Sequence, residues 1–261
     1  MSGLQLALGA LAGSLVGLTL GLLGGGGSIL AIPLLVYLVG VHDPHVAIGT
    51  SAFAVAVNAL IGLRAHARAG NVKWPCAMAF AGAGVVAAWV GALLGKAMDG
   101  QRLLMLFALL MMVVAALMFR ARNHAGDPAV MLSRPLAPKV MGAGAAAGLL
   151  SGFFGIGGGF LVVPGLIAST GMPTLYAVGS SLVVVAAFGL TTALSYTSSG
   201  MVAWTLAAVF IGGGAFGSRL GTGLAQGLAL RQGRLNLVLA AVIFATAVYM
   251  LYRTLLHVGG A

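Results

Sequence analysis

Apolar residues in this chain run in long, nearly unbroken stretches, with polar residues gathered into short clusters between them. Residues 4–23, 75–94 and 103–119 are each long enough, or nearly so, to cross a hydrocarbon core of about 30 Å as a helix. The pattern predicts a polytopic α-helical membrane protein.

An internal repeat orders these stretches. A shift of 131 lays GLTLGLLGGGGSILAIPLL, Gly17 to Leu35, on GLLSGFFGIGGGFLVVPGL, Gly148 to Leu166, with nine of 19 positions identical, Gly21, Gly24, Gly26, Gly27 and Pro33 among them. At a shift of 130, the segment Gly49 to Trp74 lies on Gly179 to Trp204, matching Ser51 to Ser181, Gly70 to Gly200 and Val72 to Val202. Each copy reads as an apolar segment, a glycine cluster, a short proline-containing segment and three longer spans. The segments predicted are 4–23, 24–27, 28–41, 46–68, 74–97 and 102–119, then 139–154, 155–159, 160–171, 175–195, 202–228 and 234–256. This gives a first transmembrane repeat over 1–119, a basic cytoplasmic linker over 120–138 and a second repeat over 139–261.

Composition excludes several function classes. Of the 261 residues, 61% are hydrophobic, 42 are glycine and only 6% are charged, against roughly 25% in a soluble domain. The formal charge of +10 comes from 13 Lys+Arg against three aspartates, Asp43, Asp99 and Asp127, with no glutamate. The basic residues lie between apolar segments, where they fix orientation in the membrane, so nucleic acid is not an expected partner. Cys76 is the single cysteine and admits neither an internal disulfide nor a multi-cysteine metal site. The aspartates stand at segment ends or in polar connections, so no buried carboxylate pair or carboxylate relay is available, and no metal or cofactor is expected. The first apolar stretch has no basic n-region and no convincing cleavage site, so no signal peptide is expected.

If the chain doubles back at each glycine cluster, each repeat crosses the membrane a net odd number of times and its twin must be inverted. Charge agrees with that. The connection after the second segment pair carries Arg64, Arg68 and Lys73 in the first copy but is the uncharged SYTSSG, Ser195 to Gly200, in the second. Arg231 and Arg234 follow the next span of the second copy, and Arg120, Arg122, Arg134 and Lys139 lie in or beside the linker. All these fall on one side only in the inverted arrangement; Lys96 and Arg102, partly offset by Asp99, are the exception. The expected fold is therefore all-α and polytopic, with two inverted-topology repeats, each a broken or re-entrant helix pair plus three transmembrane helices.

Inverted repeats with interrupted helices are a transporter plan, and the paired interruptions point to the binding site. Here they are Gly24-Gly25-Gly26-Gly27-Ser28 and Gly155-Ile156-Gly157-Gly158-Gly159. Such runs break a helix and free backbone N–H groups, tolerable at membrane depth only where protein or a polar cavity receives them. The helix that restarts after each run presents unpaired N–H groups and about +0.5 of partial charge. Two such ends facing each other would hold an oxyanion. The competing reading is close helix packing, and it is preferred for Gly13-x3-Gly17-x3-Gly21 and Gly217-x3-Gly221.

The chain resembles the TauE/SafE family of bacterial membrane proteins, described as sulfite and organosulfonate exporters. The resemblance is carried by the duplicated GxxGxGG-x-x-L-x-x-P block, by AIGTS (Ala47 to Ser51) and by His66-x3-Gly70-Asn71-Val72-x-Trp74. Weaker echoes stand at AVGSS (Ala177 to Ser181) and Gly200-Met201-Val202-x-Trp204. The second copy has Tyr196 in place of His66 and Met201 in place of Asn71. The resemblance implies a multi-pass protein of the bacterial inner membrane that moves small sulfur-containing or related organic anions.

The substrate-binding candidates are Gly25, Gly26, Gly27, Ser28, Thr50, Ser51, Asn58, Gly157, Gly158, Gly159, Ser180 and Ser181. Thr50-Ser51 and Ser180-Ser181 each open a long span, as N-caps of that span or as hydroxyl donors beside the glycine turns. Asn58 and Thr191-Thr192 are polar at membrane depth, where interhelical hydrogen bonding competes with a substrate role. His66 and Arg68 are expected at the cytoplasmic surface, His42 and His45 in a solvated loop, and Trp74 and Trp204 as interfacial anchors.

With no interior carboxylate, a sodium site is hard to build, whereas an anion leaving a negative-inside cell gains about 2.3 kcal/mol per charge per 100 mV. Potential-driven efflux by alternating access is the expected function, with a small anion and the lipid bilayer as partners; glycine-rich faces would also permit a homodimer. Two other classes compete: an intramembrane serine hydrolase using Ser51 or Ser181 with His66, and a noncatalytic membrane subunit of a larger complex.

Overall fold

The structure is a computed structural model that describes residues 2–120, 127, 130–157, 159–227 and 244–253. Its elements are helices, with no strand among the described residues. α1 is Gly3–Leu23, followed by a tight turn Gly24–Leu30, the short α2 Ala31–Pro33 and a widened turn Leu34–Leu38. Then come α3 Pro44–Arg68, α4 Trp74–Ala97, α5 Gly100–Arg120, α6 Ala137–Phe154, α7 Gly159–Thr170, α8 Thr174–Thr197 and α9 Trp204–Gly227. Residues 244–253 are helical again. The span expected over 234–256 and the basic residues Arg122, Arg231 and Arg234 fall wholly or partly outside the described residues.

The helix ends follow local chemistry. Ser2 and Gln5 form a reciprocal capping box at the start of α1. Asp43 Oδ1 accepts the His45 N–H at 2.8 Å ahead of Pro44, and Asp99 Oδ1 accepts the Arg102 N–H at 3.1 Å. Two of the three carboxylates are thus committed to helix N-termini, where their charge also opposes the helix dipole. Asp43→Ala should cost about 1 kcal/mol. Thermal unfolding in detergent should show a lower Tm, with most of it restored by Asp43→Asn; an unchanged Tm in the alanine variant would count against the cap.

Glycines at positive φ end the segments in matching places: Gly24 and Gly155, Gly40 and Gly171, Gly70 and Gly200. The first two pairs are 131 apart and the last 130, so the duplication seen in sequence extends to the backbone.

Packing is dominated by two glycine seams. Along one, Gly9, Gly13, Gly17 and Gly21 of α1 meet Leu206, Phe210, Gly214 and Ser218 of α9. Along the other, Gly144, Gly148 and Gly152 of α6 meet Phe80, Gly84 and Ala88 of α4. The contacts advance by four residues on both partners, so each pair runs parallel with backbones nearly touching, which only glycine permits. The first helix of each half is thereby clamped by a helix of the other half.

Between the seams α3 and α8 cross in opposite directions. Gly49 lies against Tyr196, Ala52 and Ala56 against Gly189, and Asn71 against Gly179. α3 runs parallel to α9, through Phe53 on Trp204, Asn58 on Gly214 and Gly62 on Ser218. α4 runs parallel to α8, through Phe80 on Phe188, and Lys96 Nζ donates to the Ser195 carbonyl at 2.8 Å and to Ser199 Oγ at 3.1 Å. α1, α3 and α9 therefore point one way and α4, α6 and α8 the other.

The apolar core lies in two parts. The larger joins α1, α2, α3 and α5, with Phe107 of α5 against Phe154 of α6; the smaller joins α4, α6, α7 and α8. Met78, Val86, Trp89 and Leu94 of α4 and Phe216, Leu220 and Leu224 of α9 are exposed. A soluble surface would not carry them this densely, and hydrocarbon accommodates them.

Candidate functional site

Both glycine runs turn the chain back inside the bundle. After α1 the backbone at Gly27 lies against Thr19 and Leu20, and Thr19 Oγ1 donates to the Gly27 carbonyl at 3.4 Å. The chain then returns to the level of Pro44, from which α3 runs parallel to α1. The second turn leaves α6 through Gly155 in the left-handed region and Gly157 at φ 66, and enters α7 at Gly159. Gly24 through Ser28 and Gly155, Ile156, Gly157 and Gly159 are all buried, so the broken backbone faces protein and not lipid.

The two turns meet. The backbones of Gly25 and Gly159 abut, leaving no room for a methyl group on either. Gly24 packs on Val178 and Ser181 of α8, and Gly155 in the matching place packs on Ile48 of α3. The Gly25 N–H donates to Ser181 Oγ at 3.1 Å, while Ser181 Oγ donates to the Val178 carbonyl at 2.7 Å. Ser28 Oγ turns back to the Gly25 carbonyl at 2.9 Å. Ser51, the counterpart of Ser181, donates to the Ile48 carbonyl at 3.0 Å in its own helix, and the Ile156 N–H is taken by the Ser151 carbonyl instead. Gly157 is less crowded: a methyl there would meet nothing nearer than 3.6 Å, facing Val55, Val185 and Gly189. No charged side chain stands among these nearest neighbours. What the arrangement offers an anion is backbone amide and serine hydroxyl.

Gly25, Ser28, Gly159 and Ser181 are thus brought together, with Gly26, Gly27 and Gly157 along the same buried turns and Ser51 one turn beyond Ile48. Gly158 lies outside the described residues. Thr50 and Ser180 do something different from capping their own spans. Both are buried in the second turn of α3 and α8, whose N-cap positions are Asp43 and Pro173. Thr50 Oγ1 accepts the Ala203 N–H at 2.9 Å and Ser180 Oγ accepts the Lys73 N–H at 2.8 Å. Each hydroxyl satisfies the backbone just ahead of α9 or α4, a donor left over where a helix starts. The capping is real but is exchanged between halves, because the loop between two spans of one half lies over the first turns of the other half's central helix.

Asn58 is fully buried against Gly214, and neither amide atom has a hydrogen-bond partner among the described residues. Thr191 Oγ1 donates to the Ala187 carbonyl at 2.8 Å, while Thr192 Oγ1 is buried without a partner among the described residues. His66 is buried near the end of α3, 5% exposed. Ser51 and His66 are 15 residues apart on one helix, about 22 Å along its axis, so they cannot act together. Among the described residues no cluster of three or more His, Cys, Asp or Glu could hold a metal ion.

A cavity of about 570 Å³ opens between α3 and α9, lined by Arg64, Arg68 and Arg219 at one end and by apolar residues beyond them. In the sequence Arg64 and Arg68 read as orientation signals, with substrate attraction the competing reading for Arg68. Arg219 within α9, level with them across a parallel pair, is the signal that would have found the cavity.

A bundle of apolar helices, four spans among the described residues being long enough to cross a bilayer, around two buried chain reversals defines a multi-pass membrane protein. The family profile described as sulfite exporter TauE/SafE matches residues 9–250, and the chain belongs to this family. It is similar to a probable membrane transporter protein of Xylella fastidiosa, 51% identical over 93% of both chains. Two others named in the same way are from Methanocaldococcus jannaschii, 27% identical over 95% of this chain and 96% of that one, and Bacillus subtilis YunE, 28% identical over 83% and 86%. No solved structure matches. The protein is a membrane transporter and not an enzyme, which sets the hydrolase reading aside.

Proposed function

We propose that the protein exports small anions, sulfite or organosulfonates, across the bacterial inner membrane by alternating access, and that the paired glycine turns are its binding site. The two halves are inverted relative to each other; the antiparallel crossing of α3 and α8 and the reciprocal Thr50 and Ser180 hydrogen bonds support this. The single observation that carries the reading is the contact of the two turns inside the bundle, with the Gly25 amide held by Ser181 of the other half. The arrangement is closed, because Gly25 and Gly159 touch. Parting of the turns admits the anion, and the Gly25 amide exchanges Ser181 Oγ for a substrate oxygen. Helix N-terminal amides suit oxyanions without a cationic side chain. Efflux runs down the membrane potential.

The test is flux from proteoliposomes loaded with sulfite, an alkylsulfonate, thiosulfate or a small carboxylate, under imposed potentials of either sign. Sulfite or sulfonate should leave faster with a negative interior and without sodium. Ser181→Ala removes the group that holds the Gly25 amide in the closed arrangement and should alter that flux about tenfold, with Tm lowered as well because the buried Gly25 N–H loses its acceptor. A sodium requirement, or a wild-type rate in the alanine variant, would contradict the reading.

A further inference from the structure

The arginine-ended cavity between α3 and α9 has a different chemistry from the glycine turns. Because the two helices run parallel, Arg64 and Arg68 near the end of α3 and Arg219 of α9 come to one level, joined by Ser218 and Thr222. Towards the middle of the bundle the lining becomes Val57, Leu60, Ile61 and Ala215. The cavity carries no acidic lining residue. Of the carboxylates, Asp43 is bound at the opposite end of α3 and Asp99 caps α5. The apolar lining reaches the outer surface of the bundle at Leu60, which is 46% exposed. Neither Asn58, His66 nor the glycine turns line it, so it is separate from the proposed transport site.

We infer that this cavity binds the phosphate head of an anionic membrane lipid, with an acyl chain lying against Val57, Leu60, Ile61 and Ala215. Three guanidiniums at one end and hydrocarbon along the other match a phospholipid in both charge and polarity. A small free anion would use only the arginine end. Guanidinium pairs with phosphate oxygens in a planar, bidentate fashion, and basic recesses between transmembrane helices on one membrane face take such head groups. Occupancy bridges α3 to α9 at the end where α9 also clamps α1.

The experiment is native mass spectrometry of the full-length, delipidated protein titrated with phosphatidylglycerol, phosphatidylcholine or inorganic phosphate. One phosphatidylglycerol should be retained preferentially over phosphatidylcholine. The triple variant R64Q/R68Q/R219Q should weaken it about a hundredfold, from roughly a fivefold loss per arginine near the membrane surface. Ala215→Phe fills the apolar end without touching charge and should weaken the lipid at least about tenfold; it keeps the proposal testable if the triple variant fails to fold. Unchanged lipid binding in Ala215→Phe, or displacement of the lipid by millimolar phosphate, would overturn the proposal and leave a free-anion site. Equal binding of the two lipids would overturn it as well.

Discussion

Gly159→Ala should abolish anion transport, with flux falling at least about a hundredfold and Tm falling as well. The added methyl would collide with the Gly25 backbone, which has no side-chain end to swing away. Overpacking of this kind typically costs about 1–3 kcal/mol, and here it forces apart the two turns whose contact defines the closed state. Gly25→Ala should behave in the same way, because the collision is mutual. Gly82→Ala and Gly142→Ala are the controls: a methyl at either meets nothing within 4 Å. Both should transport at the wild-type rate, with stability unchanged or slightly raised by the gain in helix propensity. Proteoliposome flux together with thermal unfolding measures all four, and normal transport by Gly159→Ala would remove the turns from the mechanism.

Gly17→Leu should prevent assembly outright. Gly17 of α1 faces Gly214 of α9 with backbones in contact, and Asn58 closes the third side of that crossing. Lipid supplies no hydrophobic force to hold α1 on α9, so their association depends on this close approach. Four extra carbons on one side separate the helices along the whole seam. Little monodisperse protein should survive detergent extraction, measured by fluorescence-detected size exclusion. Gly148→Leu should do the same at the α4 and α6 seam, where Gly148 meets Gly84. Gly212→Leu and Gly223→Leu, on open faces of α9, should be extracted normally. Equal recovery of the seam and open-face variants would show that glycine packing does not organise the bundle.

Much of this architecture could be read in the chain because it is local or periodic. A glycine run between apolar stretches breaks a helix whatever surrounds it, and the repeat of Gly24, Gly26, Gly27 and Pro33 marks the break twice. Helix limits at Pro44, Trp74 and Trp204 follow from proline, aspartate and glycine chemistry within a few residues. What stayed hidden is pairing at long range. Thr50 with Ala203 and Ser180 with Lys73 join residues more than 100 apart, and a hydroxyl early in a span gives no hint that its partner is the loop of the other half. Ser181 over Ser51 as the residue holding a glycine amide was equally illegible, because the two motifs are alike and the difference lies in how Ile156 finds Ser151 instead. The arginine cavity required knowing that α3 and α9 run side by side in one direction, which hydropathy does not encode.

In the proposed mechanism backbone amides of the paired turns hold the anion in place of cationic side chains. The most direct measurement is solid-state NMR of [15N]glycine-labelled protein in lipid bilayers, with amide signals assigned through single glycine substitutions and followed as sulfite is added. Signals of Gly25, Gly26, Gly157 and Gly159 should shift with saturating dependence on sulfite, while those of the seam residues Gly13 and Gly148 stay fixed. Shifts confined to Gly62, beside the arginine cavity, with the turn glycines unmoved, would contradict the account.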